Sequence, residues 1–304
     1  MAGDRIVLAG GSGFIGQSLA ARLLLDGYEV VVFTRGPASR MAHGTGVRWD
    51  GKTLGGWTKY VDGALAVVNL TGKSVNCRYT PDARRQIIDS RVDSVQAVAE
   101  AVRGCHRPPL CLVQAGSLAF YGDPGPRICD ESAPPGSGFA AEVCQRWEEA
   151  FQNSPTLDTR RVLLRIGFAL GAEGGALKTL AGLTRWFLGG AVGSGQQYVS
   201  WLHLADLNRM FVESIVRADI AGVYNATGPQ PVTNAEFMRQ LRRVLHRPWS
   251  PPAPAWAVRV GAWLMGSDAS LALSGRRAIP RRFLDQAFTF EFADLRAALQ
   301  DLLA

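Results

Sequence analysis

Four glycines near the amino terminus carry the first chemistry in this sequence. In Ile6-Val-Leu-Ala-Gly10-Gly11-Ser12-Gly13-Phe14-Ile15-Gly16 two spacings overlap, Gly10-x-x-Gly13-x-x-Gly16 and Gly11-x-Gly13-x-x-Gly16. Glycines so spaced serve a tight turn, the approach of backbone to a pyrophosphate, and close helix–strand packing. A helix opening there offers free N–H groups and its positive dipole end to that pyrophosphate. The next apolar run ends in Thr34-Arg35. A site that grips a ribose 2′-hydroxyl usually places Asp or Glu at this point. A guanidinium instead attracts a 2′-phosphate and cannot accept a hydrogen bond from a hydroxyl. Turn and cation together point to NADP(H) over NAD(H); the bland alternative for Arg35 is a solvated surface arginine.

The elements that position these residues follow from apolar periodicity. Phe14, Ile15, Leu19, Ala20, Leu23 and Leu24 mark one face of a helix ending at Asp26-Gly27, and Tyr28 to Phe33 is a nearly continuous apolar run. Such a run suits a parallel strand covered on both faces. Further strands are expected at Val47-Arg48-Trp49, from Ala64 to Asn69, from Leu110 to Ala115 and within Leu157 to Ile166. Between them, Ile88, Val92, Val95, Ala99 and Val102 step by four and three, which predicts a long amphipathic helix from Asp82 to Val102. Alternating strands and helices imply βαβ units and a doubly wound parallel sheet, an α/β fold of the Rossmann type. Beyond Gly167 the regularity fades into glycine-rich segments, a proline-rich connector at Arg247-Pro-Trp-Ser-Pro-Pro-Ala-Pro and an α-rich tail. The division expected is a cofactor-binding unit over 1–166, with a returning contribution from about 198–228, and a smaller substrate-side C-terminal unit within 167–304.

Composition narrows the class. With 304 residues, 47% hydrophobic and 19% charged, the chain can bury a large core. The net charge of +7 comes from scattered arginines with no long basic run, which argues against a nucleic-acid partner. The five cysteines (Cys77, Cys105, Cys111, Cys129, Cys144) lack metal-ligand spacing and suit reduced thiols in a cytoplasmic protein, with no metal expected. The apolar stretch from Ala253 to Met265 is short and interrupted by Arg259, so no membrane partner is expected. A small-molecule substrate is the partner this leaves, and the oligomeric state is not legible.

Taken together, several motifs resemble one family. Ala9-Gly-Gly-Ser-Gly-Phe-Ile-Gly16, Asn69-Leu-Thr-Gly72, Ser90-Arg91, Leu164-Arg-Ile-Gly167, Gly193-Ser-Gly-Gln196, Trp201-Leu-His203 and Ile279-Pro-Arg-Arg282 make the chain similar to atypical extended short-chain dehydrogenase/reductases. Within these it resembles the epimerase-like proteins with a C-terminal domain of unknown function. The resemblance implies that Gly10, Ser12, Gly13, Phe14 and Ile15 hold the pyrophosphate and that Thr34 and Arg35 hold the adenosine 2′-phosphate. It places Leu70 and Thr71 beneath the ribose, and Ala115 and Phe168 beside the nicotinamide. Arg91 would add charge near the phosphates, or is a solvated helix arginine; Gln86 is a weaker candidate.

The catalytic positions depart from that family. Its usual enzymes carry a Tyr-x-x-x-Lys pair on the helix after the fifth strand, where the ammonium lowers the phenol's pKa for proton exchange with the substrate oxygen. Gly116-Ser117-Leu-Ala-Phe-Tyr121-Gly122 matches the family's serine segment, so Ser117 is expected to orient a substrate oxygen. Phe139-Ala-Ala-Glu-Val-Cys-Gln-Arg-Trp147-Glu148 contains neither Tyr nor Lys, and the pair's positions fall near Phe139 or Ala140 and Val143 or Cys144. Tyr121 is then the nearest substitute acid, with a packed aromatic as its alternative. His203 is either a cleft residue or a structural histidine ahead of a helix, and Arg78 and Tyr79 are loop candidates for an anionic substrate. Three functions stay open. They are an NADP(H)-dependent oxidoreductase of a small carbonyl or hydroxyl compound, a nucleotide-sugar-type epimerase or dehydratase, and a catalytically silent NADP-binding sensor.

Overall fold

The computed structural model describes residues 4–37 and 41–303. Seven parallel strands form the central sheet: β1 (Arg5–Ala9), β2 (Glu29–Thr34), β3 (Thr45–Arg48), β4 (Ala66–Asn69), β5 (Cys111–Ser117), β6 (Arg160–Ile166) and β7 (Gly222–Ala226). Their order is β3-β2-β1-β4-β5-β6-β7, so the chain winds outward in both directions from the seam between β1 and β4. Every pairing in this sheet is parallel. Parallel strands need crossovers, and the helices supplying them cover both faces. Helices α1 (Phe14–Leu25), α2 (Pro81–Arg103) and α3 (Phe139–Gln152) lie within the first half of the chain. Then come α4 (Gly175–Arg185) and α5 (Leu204–Val216), which returns to the sheet.

Successive strand residues point to opposite faces, and the two cores sort accordingly. Ile6, Leu8, Val30, Val32 and Val68 pack with Leu19 and Leu23 of α1 and Met210 and Phe211 of α5. Val7, Ala9, Val31, Phe33 and Val67 pack with Val95 and Val98 of α2 and Trp147 and Phe151 of α3. The buried face of α2 is wider than the predicted stripe: Val95, Ala99 and Val102 are buried as expected, Ile88 and Val92 only partly, and Ile87, Ala97, Val98 and Ala101 join them. A helix wedged between a sheet and a neighbouring helix, here α3, buries a wider arc than a periodicity count over one stripe detects. On α1 likewise, Leu24 is 41% exposed.

Beyond β6 the glycine-rich region acquires a compact order. The short strand Phe168–Leu170 pairs with Trp201–His203. With α4, α6 (Asn234–Val244) and the terminal helix Leu295–Leu303 it encloses a separate core of Leu170, Leu177, Trp201, Phe237, Leu241 and Leu299. The C-terminal segment also reaches the central sheet. Phe283 and Phe288 are buried beside Tyr224 of β7, with ring centroids 4.9 Å (Tyr224–Phe283) and 5.3 Å (Phe283–Phe288) apart. Arg282 Nη1 donates to Val223 O at 2.7 Å. The tail thereby covers the exposed edge of the sheet, which would otherwise present unpaired backbone groups. All five cysteines are free thiols. No helix of the described residues is long and apolar enough to cross a membrane.

Candidate functional site

The site lies beyond the carboxyl ends of β1, β2, β4 and β5, at the seam where the winding reverses, the usual place for a crevice in such sheets. Two loops meet there. Gly10 has φ +72°, and a Cβ on it would stand 2.7 Å from Thr71 Oγ1 and 2.8 Å from Thr71 Cα. The turn after β1 and the loop after β4 therefore touch through bare backbone. A Cβ on Gly16 would lie 2.5 Å from the Gly11 backbone, so the first turn of α1 sits directly on the glycine loop. Gly13 differs: a Cβ there would meet nothing within 4 Å. It is also the N-cap of α1 and supplies no side-chain cap. Among the described residues no side chain caps the first N–H groups of α1, which leaves them as a ready anion cradle. Ser12 at the rim is exposed, while Phe14 and Ile15 are partly buried.

Phe14 gives the later glycines a purpose. Side chains at Gly171, Gly174 or Gly175 would each run into its ring, at 2.6, 2.5 and 3.0 Å. The segment after Phe168–Leu170 is therefore folded around the Phe14 ring, which joins the cradle to the C-terminal part. At the end of β2, Thr34 is buried and its Oγ1 accepts from Gly36 N at 3.1 Å. Arg35 follows it and is exposed. Below the cradle, Leu70 N donates to Ala9 O at 2.8 Å and Thr71 N to Asn69 Oδ1 at 3.1 Å. Thr71 Oγ1 is sealed from solvent and has no partner among the described residues. An orphaned buried hydroxyl beside the bare turn fits a ligand hydroxyl or phosphate oxygen.

Polar residues missed in the sequence hold these loops. Asn69 and Gln114 are buried at the ends of apolar strands, with Asn69 Nδ2 donating to Gln114 Oε1 at 3.0 Å and reaching Ser94 Oγ of α2 at 3.4 Å. An amide inside an otherwise apolar strand was the available signal, since buried polar groups must find partners. Arg91 extends from α2 under the same loop. Its Nη1 donates to Lys73 O at 3.0 Å and Ile87 O at 2.9 Å, and its guanidinium lies 4.9 Å from the Trp147 ring. Arg91 therefore braces the loop after β4, and burial lowers its pKa. Gln86 is exposed and pairs with Lys73 and Asp82.

The catalytic side is arranged differently. Ser117 ends β5, and its Oγ accepts from Ala119 N at 3.2 Å, which leaves its own proton free to donate. Ala115, two residues earlier, is buried; Phe168 is partly buried, edge-on to Phe237 at 5.8 Å. Tyr121 does not take the role expected of it. It is 1% exposed, and its hydroxyl lies 2.8 Å from each of Asp130 O, Asn225 Oδ1 and Arg165 Nη1. Burial pushes its pKa up to about 12. With its hydroxyl saturated and no open face, it closes the strand end as a packed aromatic and is no proton donor to substrate. Arg165 is held by Glu148 of α3 in a bidentate pair, Nε–Oε1 2.9 Å and Nη2–Oε2 2.8 Å, with both side chains nearly inaccessible.

On α3 the positions of the missing pair contain Phe139, Ala140, Val143 and Cys144. Cys144 is buried, and loss of solvent raises its thiol to about 12, so it stays protonated. His203 is structural. It caps α5 by accepting Ala205 N–H at Nδ1 (3.1 Å), stacks on Phe292 at 3.9 Å and faces Asp301 with Nε2 at 3.2 Å. Arg78 is committed to α7 (Ala255–Leu264), donating to Trp263 O at 2.9 Å. Tyr79 is edge-on to Phe139 at 4.8 Å, and burial raises its pKa to about 12.

Comparisons with known proteins identify the family and the fold. Residues 6–226 match the NAD dependent epimerase/dehydratase family, and residues 253–302 match a domain of unknown function (DUF1731). The chain is 32% identical over 303 residues to an epimerase family protein SDR39U1 homolog, chloroplastic, of Arabidopsis thaliana, covering 98% of this chain and 86% of that one. It superposes with a TM-score of 0.86 on human epimerase family protein SDR39U1 (isoform 2) crystallised with NADPH, at 30% identity and 98% coverage of both chains. UDP-glucuronic acid 4-epimerase from Bacillus cereus, in complex with UDP-glucuronic acid and NAD, shares the fold at TM-score 0.76 and 16% identity, covering 98% of both chains. The chain belongs to the NAD dependent epimerase/dehydratase family, as an atypical extended short-chain dehydrogenase/reductase with a C-terminal domain of unknown function.

Proposed function

We propose that this protein binds NADP(H) at the seam between β1 and β4 and acts as an oxidoreductase on a small carbonyl or hydroxyl compound. The observation that carries the reading is the pairing of an open, uncapped cradle at Gly13 with exposed Arg35 at the end of β2. The NADPH in the human relative's crystal supports the choice of dinucleotide. Backbone N–H groups from Gly13 to Ile15 would take the pyrophosphate, with Gly10 and Ser12 lining the turn. Thr34 and Arg35 would take the 2′-phosphate, and Leu70 and Thr71 would lie under the ribose, with Thr71 Oγ1 gaining the partner it lacks. Ala115 and Phe168 would flank the nicotinamide end. Arg91 would contribute positive potential from beneath its loop. The unit doing this would be residues 1–166 with a return over about 198–228, and the remainder would enclose the substrate.

When bound, the cofactor supplies a hydride to a carbonyl carbon or accepts one from a carbinol. Ser117 would orient the substrate oxygen through its free proton, a transition-state hydrogen bond of the kind that lowers the barrier. Neither Tyr121 nor Cys144 can exchange that proton, so it would come from water in the cleft.

Equilibrium titration with NADPH and NADH tests the first step, and tighter NADPH binding is expected. A carbonyl library followed by NADPH absorbance tests the second, with loss of turnover expected for Ser117→Ala. Tight NADPH binding without turnover on any carbonyl would favour the silent sensor, for which the lack of an acid/base pair on α3 is the specific argument.

A further inference from the structure

The C-terminal part holds a cavity of about 420 Å³ between α6 and the proline-rich connector, and its lining shares no residue with the cofactor or substrate contacts described above. That volume is within the roughly 300–1,000 Å³ usual for small-molecule sites. Three segments supply the walls. Ala235, Arg239 and Arg242 recur at one and two turns along a single stripe of α6. Ser250 and Pro252 come from the connector, and Ala191 from the loop after α4. Backbone contacts fix these segments to one another. Ala253 N donates to Ala191 O and Gly193 N to Ala253 O, each at 2.8 Å. Val192 N donates to Asn234 Oδ1 at 2.8 Å, and a Cβ on Gly190 would collide with Pro251 O. The cavity is therefore framed by the fold and is not a gap between loose loops.

Its polar groups are incompletely used. Arg242 Nη1 donates to Gly189 O at 2.8 Å. The opposite edge of the guanidinium, Nε with Nη2, is unspent, and Nε has no partner among the described residues. Ser250 is only 8% exposed, and its Oγ also lacks a partner among the described residues. Glu236 is the one carboxylate in the lining, and both its oxygens are taken. Oε1 accepts from Gln240 Nε2 at 2.7 Å, and Oε2 pairs with Arg239. Arg242 itself forms no ion pair among the described residues. Help from the surrounding sequence is also lacking: from Arg239 to Ser267 there are five arginines and no Asp or Glu. An enclosed donor and an enclosed hydroxyl without partners, on one cavity with a surplus positive charge, call for an anion.

We propose that this cavity binds a phosphate monoester, a small phosphorylated organic molecule, at a site separate from that of the cofactor. The free edge of Arg242 suits a two-oxygen grip. The Ser250 hydroxyl, presented by the connector, would take a third oxygen. A phosphate monoester has three terminal oxygens for these donors, whereas a carboxylate has two. Ala191, Ala235 and Pro252 offer apolar contact to the organic part.

The test is calorimetric titration of phenyl phosphate, inorganic phosphate and benzoate into the full chain, with NADPH present to fill the cradle. Phenyl phosphate is expected to bind at one site, more tightly than inorganic phosphate and at least ~10-fold more tightly than benzoate. Arg242→Gln should weaken phenyl phosphate at least ~10-fold. Arg242→Lys should weaken it by a smaller factor, because it keeps the charge and loses the fork. Ser250→Ala should weaken it about fivefold. Without ligand, Ser250→Ala should melt no lower than wild type, because the hydroxyl it removes bonds nothing in the protein. No binding of phenyl phosphate, equal affinity in wild type and these variants, or benzoate binding as tightly overturns the site. So does a lower melting temperature of Ser250→Ala with an unchanged titration, which marks a structural hydroxyl. Loss of phenyl phosphate in Arg35→Ala with retention in Arg242→Gln would put the probe in the cradle and also overturns it. Probe binding that depends on Arg242 in a protein that does not bind NADPH would sink the cofactor reading alone.

Discussion

The two ends of the cleft are built on opposite plans. At the turn after β1, groups that could satisfy one another are held apart: α1 starts without a cap, Gly13 faces open space and Thr71 Oγ1 has no partner. Under β5 and β6, polar groups are spent on each other. Glu148 holds Arg165, Arg165 holds Tyr121, and Tyr121 holds Asn225, whose Nδ2 donates to Ile279 O at 3.0 Å. The first arrangement leaves binding capacity for a ligand. The second is a brace between α3, the sheet and the C-terminal segment, with nothing left over for proton transfer. The difference teaches that tyrosine, glutamate and arginine near a catalytic position do not make a catalytic group; an unspent hydrogen bond does.

The sharpest way to break the comparison is to remove the charge at the centre of the brace. Glu148→Gln leaves Arg165 charged and desolvated, and loss of one partner from such a pair costs about 3–5 kcal/mol. Urea unfolding should report that loss, and the protein that remains folded should keep its NADPH affinity. If stability falls by only a few tenths of a kcal/mol, the pair is not the brace described here. Tyr121→Phe probes the same network more gently, with an expected loss of about 1–3 kcal/mol from stranded partners. A pH–rate profile unchanged by Tyr121→Phe would agree with its structural role; loss of a basic-limb ionisation would restore it as an acid.

The cradle answers to the reverse test. Gly13→Ala adds a methyl where the protein alone has room, so stability should fall by no more than about 1 kcal/mol, the cost of a poorer N-cap. NADPH binding should weaken by roughly 2–3 kcal/mol, 30- to 150-fold, because the methyl stands where a pyrophosphate must come close to backbone. Gly16→Ala should instead lose both stability and binding, since its Cβ has only 2.5 Å to the Gly11 backbone. Arg35→Ala sharpens the choice of dinucleotide: NADPH affinity should fall by about 1.5–3 kcal/mol, as for a hydrogen bond to a charged group, with NADH affinity unchanged.

How much of this was legible follows the range of the interactions. The glycine turn, the strand ends and the absence of Tyr and Lys on α3 are local patterns; Gly10 meets Thr71 behind β1 and β4, and Ser117 ends β5. The brace was not legible, because Arg165 lies 17 residues from Glu148 and 44 from Tyr121, and a pairing between them has no periodicity. Its one trace was a charge inside the apolar run Val162-Leu-Leu-Arg165-Ile166, which a buried strand tolerates only when the charge is paired.

The smallest effect concerns the joint between the two regions. His203 caps α5 and faces Asp301 of the terminal helix, and burial lowers its pKa below the ordinary 6.5. The native state therefore favours the neutral ring, while the unfolded chain takes up a proton near pH 6.5. His203 thus contributes stability that is fully present above that pH and is lost as the pH falls through 6.5 toward the lowered native value. The protonated ring also gives up the acceptor that caps Ala205 N–H. Melting temperature should therefore fall in wild type as the pH is lowered from 7.5 to 5. In His203→Asn, which can still cap, that part of the slope should vanish. An identical slope in the variant would mean that the Asp301 carboxylate cancels the burial and that the joint is indifferent to pH.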